Sequence, residues 1–200
     1  MAIEDNMLSS EVFEKQSFEA CHSILVPLKP GSIEDAKLIV EIRSRTKGSF
    51  LNVSSEDPLE QINFLQSYHF RNIFFDEIYF KVFDKAKNEF NGLVRITELK
   101  DGCDFNWQSF VCKPDCSPQL AIDVMLSVYQ IGFEFFNKNL CGSFAVDQRA
   151  KHTKKLHKLF GMAEMVKEDI KYEWYEIRRS NYDKKKEFFQ KLGYGLVDLL

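Results

Sequence analysis

The chain is predicted to fold as an α/β domain around a mixed, mostly antiparallel twisted sheet with helices on its flanks. Three observations carry that expectation. Strand-patterned segments at 77–84, 93–99 and 104–111 follow one another in short succession, which makes an antiparallel meander. A helix-patterned segment then separates 104–111 from an apolar strand at 141–146, and such a crossover makes those two strands parallel. With 19 Phe against 9 Gly and 44% hydrophobic content, the chain folds by burying aromatics and is neither disordered nor linker-like.

The elements follow in chain order. Residues 1–19 are polar and weakly patterned and read as an N-terminal arm or a short added helix; a single domain spans 20–200. Residues 23–28 (SILVPL) form a strand stopped by Pro30 and Gly31. Ser32 with Asp35 three residues on makes a capping box for a helix reaching Arg45. Asp57, Pro58 and Glu60 repeat that start signal for a helix to His69. In 77–84, Ile78, Phe80 and Val82 alternate with Tyr79, Lys81 and Phe83, the period of a strand. Asn91 and Gly92 precede a second such strand over 93–99, and 100–102 turn the chain into 104–111. Ser117 and Pro118 cap the crossover helix, whose apolar stripe is Leu120, Val124, Val128, Ile131 and Phe135, and Asn139 ends it. A helix over 150–160 closes at Gly161, two strands are expected at 163–167 and 172–178, and a helix over 182–192 ends the chain.

Charge and cysteine usage exclude several functions. The net charge is −3, so the chain as a whole has no electrostatic footprint for nucleic acid or anionic membrane. Apolar stretches such as 24–28 are far too short to span a bilayer, and residues 1–20 carry too many acids for a secretory signal. A cytoplasmic protein without membrane insertion is expected. The five cysteines (21, 103, 112, 116 and 141) are odd in number and lack paired CxxC spacing, which fits reduced thiols. Cys112 and Cys116 find no matching pair among His22, His69, His152 and His157, so no metal is expected. A homodimer is compatible with the chain, but nothing in the sequence specifies one.

Local sequences add meaning to this element order. Val111 and Pro114 followed by a capped helix, and LHKLFGM at 156–162, resemble the CoA-binding strand and loop and the closing helix of the GNAT family of acyl-CoA-dependent N-acyltransferases. The resemblance covers about 23–178, with Met162 standing where phenylalanine is usual. It implies a GNAT-like sheet whose central parallel strands splay, with acetyl-CoA as co-substrate. Where 104–111 and 141–146 part, unpaired backbone groups would receive the pantetheine amides as a substitute strand, and a backbone N–H would meet the thioester oxygen. The pyrophosphate would sit at the helix N-terminus capped by Ser117. The implied cofactor-binding residues are Phe110, Val111, Lys113, Ser117, Gln119, Leu120 and Lys154. Residues 115–122 (DCSPQLAI) depart from the family's glycine-rich pyrophosphate loop: no glycine is present, Pro118 donates no N–H, and Asp115 brings a like charge. Lys113 and Gln119 are the donors on hand.

An acceptor amine must shed a proton before attack. Glu98, Asp104 and Asp147 are the carboxylate candidates, with Asp104 preferred as base; the plain alternative is a solvated turn acid. His157 falls where many family members carry a tyrosine that protonates the departing thiolate, and a packed or surface histidine is the alternative. Lys151, Lys154, Lys155 and Lys158 share one helix face, which reads as a solvated face or as a contact to the CoA 3′-phosphate. Trp107, Phe105 and Phe110 read as core or as an acceptor wall, and Cys112 has no partner that would make it a nucleophile. The implied activity is N-acetyl transfer from acetyl-CoA to a primary amine of a small polar acceptor. Faint similarity to the subgroup acting on nucleotide-linked amino sugars points to that acceptor class. Two alternatives stand beside it: a non-catalytic binding or assembly module with a degenerate CoA loop, and a protein N-terminal acetyltransferase.

Overall fold

The protein is described by a computed structural model that covers residues 17–45, 55–73, 76–100 and 102–199. The expected arm over 1–19 therefore lies, up to residue 16, outside the described residues. Among the described residues nine strands form one sheet in the order β7-β8-β6-β5-β4-β3-β2-β1-β9. The strands are β1 (Phe18–Ala20), β2 (Ser23–Pro27), β3 (Glu77–Asp84), β4 (Glu89–Thr97), β5 (Asp104–Cys112), β6 (Leu140–Asp147), β7 (Ala163–Glu168), β8 (Tyr172–Arg178) and β9 (Leu196–Leu199). The helices are α1 (Ile33–Arg45), α2 (Pro58–Ile73), α3 (Pro118–Gln130), α4 (Lys151–Phe160) and α5 (Arg179–Lys191). Every strand pairing is antiparallel except β5 with β6. The mixed sheet with one parallel central pair is the expected architecture.

The alternation read in β3 separates two cores. Ile78, Phe80 and Val82 join Val94, Ile96, Phe105 and the apolar stripe of α3 on one face. Tyr79, Leu93 and Val111 face the other way, onto Ala36, Ile39 and Ile42 of α1 and Leu65 and Tyr68 of α2. Lys81, also on that second face, is buried only because its ammonium meets Asp35 Oδ1 at 2.7 Å. The expected capping box at Ser32 is therefore half made. Ser32 Oγ accepts the Asp35 N–H at 3.2 Å, but the Asp35 carboxylate is taken by Lys81 and by the Lys29 N–H at 2.6 Å.

Three expectations are corrected. Asn91 and Gly92 lie inside β4, which begins at Glu89, not ahead of a strand that starts at 93. Gly92 is there because a Cβ would stand 2.3 Å from the Val111 carbonyl oxygen of β5; Asn88, with φ 53°, lies in the turn before β4. The crossover helix widens into a π-helical turn at Ile131–Phe135. The chain does not end in a helix either: β9 follows α5 and pairs with β1, which itself lies where the sequence shows no strand pattern.

The reason for that last pairing is a buried polar anchor. Asp123 of α3, with no exposed surface, accepts the His22 N–H at 2.9 Å, the Ser23 hydroxyl at 2.8 Å and the Gly195 N–H at 2.8 Å. Gln130 Oε1 accepts the Leu196 N–H at 2.6 Å. Two polar side chains of α3 thus fasten the start of β2 and the C-terminal strand to the core. No described helix is long and apolar enough to cross a membrane.

Candidate active site

The site is made by a failure of strand pairing. β5 and β6 are in register only at Asp104↔Leu140 and Phe105↔Cys141, after which they part. Trp107–Cys112 and Phe144–Asp147 then face each other across a cleft of about 370 Å³, closed at one side by Ala150 just before α4, by Thr153 of α4 and by Tyr172. That volume is in the range of small-molecule sites. Backbone groups on the facing edges have no ladder partner across the gap, so a ligand with amides can take that place.

The parting is reinforced on the other edge of β5. Its pairing with β4 jumps from Leu93↔Val111 to Arg95↔Gln108, so β5 carries one extra residue there. The extra residue coincides with Ser109 at φ 53°, a left-handed conformation that a non-glycine residue rarely adopts. A bulge of this kind kinks β5 along the stretch where its pairing with β6 has stopped. No sequence signal marks it, because serine is not a residue that advertises a positive φ.

Beneath the cleft lies an aromatic floor. The His157 ring packs against Phe144, Tyr175 and Trp107 at centroid distances of 4.9, 5.5 and 6.2 Å. It is 1% exposed, and neither ring nitrogen has a hydrogen-bond partner. Burial in this apolar box lowers its pKa from the ordinary 6.5 to about 4, so at neutral pH it is an uncharged imidazole.

Beyond the end of β5, Ser117 Oγ caps α3 by accepting the Leu120 N–H at 3.1 Å, as the sequence predicts, and its carbonyl accepts the Ala121 N–H at 3.2 Å. The glycine-free loop closes into a tight turn of its own, Cys116 N–H to Lys113 O at 3.0 Å. With Pro118 lacking an N–H, Gln119 supplies the amide of the first turn that remains for an anion. Cys112 lines the cleft as a thiol, since its hydrogen bond to the Cys116 sulfur and its burial both push its pKa up. It is no thiolate nucleophile.

No family model matches the sequence, and no curated protein does. Solved structures do. An apo structure of FdhC, a nucleotide-linked sugar GNAT, superposes with a TM-score of 0.78 over 90% of this chain and 99% of that one, at 21% identity. The chain has the GNAT fold. The same fold is seen in a GCN5-related N-acetyltransferase from Brucella melitensis (TM-score 0.68, 16% identity, 89% of this chain and 85% of that one). It recurs in the Campylobacter jejuni N-acetyltransferase PseH, solved with acetyl coenzyme A (TM-score 0.58, 17% identity, 78% and 99%).

Within this GNAT fold the residues singled out from sequence do not all meet. Phe110 and Val111 line the cleft, and Ser117, Gln119 and Leu120 form the α3 terminus; the Leu120 side chain is buried, so only its backbone belongs to that terminus. Lys113 stands over the Phe90 ring at 5.8 Å. Lys154 is ion-paired with Glu173 at 2.9 Å, whereas Lys151, Lys155 and Lys158 are exposed. Asp104 is exposed at the paired end of β5, before the strands separate, and Glu98 is exposed beyond the end of β4. Neither is brought to the cleft. Asp147 is at the cleft, but Arg149 grips both its oxygens at 2.7–2.9 Å and holds its pKa at about 2. Trp107 and Phe110 line the cleft, while Phe105 is core. Among the described residues no cluster of metal-ligating side chains occurs.

Proposed function

We propose that the protein is an acetyl-CoA-dependent N-acetyltransferase that modifies a primary amine on a small polar acceptor, with nucleotide-linked amino sugars as the favoured class. The observation that carries this reading is the parting of β5 and β6 into a cleft edged by unpaired backbone at Trp107–Cys112 and Phe144–Asp147. Pantetheine amides have the spacing to pair with such edges, and a backbone N–H at the Ser109 bulge is suited to a developing oxyanion. Lys113, Ser117 and Gln119 are the residues that this reading assigns to the pyrophosphate, at the capped start of α3. Lys154 reaches a 3′-phosphate only by exchanging its ion pair with Glu173. The likeness to FdhC in fold motivates the acceptor class.

The acid–base part of the reaction is reassigned. A carboxylate with a pKa of about 2 is a weak base, which argues against Asp147; Asp104 lies away from the cleft. His157 is neutral and enclosed, so its role in this reading is to shape the floor under the thioester, and the amine proton leaves to water in the open cleft.

Titration calorimetry with acetyl-CoA and CoA tests the reading; absence of binding at high micromolar ligand would end it. A second reading has its own observation. The loop 113–116 is a closed turn without glycine, which leaves a thin pyrophosphate grip and suits a binding or assembly module that has given up CoA. Under that account, glycines at Pro118 and Leu120 create CoA binding that the native chain lacks.

A further inference from the structure

Two of the five cysteines stand together where β5 ends and α3 begins. Cys112 is the last residue of β5 and lines the cleft; it pairs with Gly92 of β4 so closely that a Cβ there would stand 3.1 Å from its sulfur. Cys116 immediately precedes the Ser117 cap. Between them the chain turns back on itself: the Lys113 N–H donates to Asn91 O at 2.8 Å, and the Cys116 N–H to Lys113 O at 3.0 Å. That turn sets the two sulfurs in hydrogen-bond contact. Both residues are half-buried, within reach of small solutes. Cys103 lies just before the other end of β5 and Cys141 is buried in the core, so neither competes for Cys112.

The contact gives the two thiols different chemistry. Donation from Cys112 to the Cys116 sulfur lowers the Cys116 pKa, although burial and the Asp84 and Asp115 carboxylates oppose it, whereas Cys112 stays a thiol. Where a thiolate has a second thiol beside it, oxidation stops at a disulfide, because the second sulfur intercepts the first oxidation product. Little has to change in the backbone. The turn is already closed, and the sulfurs have only to pass from hydrogen-bond contact to a bond of about 2.0 Å.

We propose that Cys112 and Cys116 form a reversible disulfide on exposure to hydroperoxides, and that the oxidised pair weakens acetyl-CoA binding. The second half rests on the reading of the β5–β6 cleft as the acetyl-CoA site. The Cys116 sulfur attacks one oxygen of hydrogen peroxide, the O–O bond breaks, and the departing hydroxide takes up a proton to leave as water, with Cys116 left as the sulfenic acid. The Cys112 sulfur then attacks the Cys116 sulfur, the S–O bond breaks, and the hydroxide departs with the Cys112 proton as a second water. Both sulfurs are oxidised and the peroxide is reduced; a dithiol reverses the step by exchange. In the oxidised form the Cys112 side chain is drawn from the cleft toward the turn, and Lys113 and Ser117, which the transferase reading assigns to the pyrophosphate, shift with the chain that carries them.

Peptide mapping and calorimetry on the full chain test the two halves separately. The chymotryptic peptide 111–120 holds these two cysteines and no other. After peroxide it should be lighter than the dithiol by two hydrogens and refuse an alkylating reagent; after dithiothreitol it should take two labels. In Cys112→Ser the Cys116 sulfenic acid should persist and be trapped by a 1,3-dione, and in Cys116→Ser the peptide should form no disulfide. Acetyl-CoA should bind the peroxide-treated native chain at least about fivefold more weakly than the reduced chain, with recovery in dithiothreitol, and Cys116→Ser should show no such reversible change. A peptide 111–120 that stays reduced in millimolar peroxide overturns the disulfide. Equal affinity of the oxidised and reduced chains overturns the coupling to the cleft. If the reduced native chain binds no acetyl-CoA, the transferase reading falls and the coupling with it, while the peptide map still decides the disulfide.

Discussion

Acidification should destabilise this protein through one side chain in particular, His157. In the native state its pKa is about 4, against 6.5 for an exposed histidine, because the ring sits among Trp107, Phe144 and Tyr175 with no partner for either nitrogen. Between those two pH values the unfolded chain binds a proton that the folded chain refuses, so stability is full above about pH 6.5 and falls as the pH drops toward 4. The slope is about 1.4 kcal/mol per pH unit, and the whole loss is about 3 kcal/mol. At a urea slope of roughly 2 kcal/mol per M, the midpoint should fall by ~1.5 M across the window. The carboxylates Asp147 and Glu173, whose pKa values are lowered by their hydrogen bonds, add acid sensitivity of their own, so the comparison that isolates the histidine is with His157→Phe. Phenylalanine fills the same aromatic box without unpaired nitrogens and should be at least as stable as the native protein at pH 7. Urea melts of both proteins from pH 7.5 to 4 provide the measurement. Midpoints that fall in parallel would refute the reasoning, because the histidine would then carry no share of the acid sensitivity.

Two further substitutions probe what positions the cleft. Asp123→Ala leaves the His22 N–H, Ser23 hydroxyl and Gly195 N–H without their acceptor, and should cost roughly 3–5 kcal/mol, seen as a fall in Tm of roughly 10 °C; a loss below about 1 kcal/mol would show that water replaces the carboxylate. Gly92→Ala places a Cβ 2.3 Å from the Val111 carbonyl, so β4 and β5 must separate, at a cost of roughly 1–3 kcal/mol in a urea melt and with weaker acetyl-CoA binding because Val111 lines the cleft; unchanged stability and affinity would mean the strands give way freely.

The sequence by itself determined most of the elements and their order. Period-two alternation in β3, the Ser117–Pro118 cap of α3 and Gly161 at the end of α4, where φ is 60°, are local signals, and local signals survive without tertiary context. The parallel relation of β5 and β6 was legible too, because a helix between adjacent strands leaves one handedness. Local reading misplaced Asn91 and Gly92, since a glycine chosen for close strand approach looks the same in sequence as one that stands ahead of a strand. Short β1 and β9 went unseen because their pairing is decided by Asp123 and Gln130, roughly 65 to 100 positions away in the chain for most of those bonds.

Chemistry was the least legible part. Asp104 and Asp147 are equivalent acids on paper; the tertiary structure leaves one exposed at the closed end of the strands and clamps the other with Arg149. His157 reads as a group that titrates near neutral pH until its aromatic enclosure is known. Cys112 and Cys116 are two thiols of unpaired spacing on paper, and the turn between them is what sets their sulfurs in contact. Strand and helix identity follow from neighbours in the chain, whereas proton affinity and thiol reactivity follow from burial and from partners that folding alone brings together.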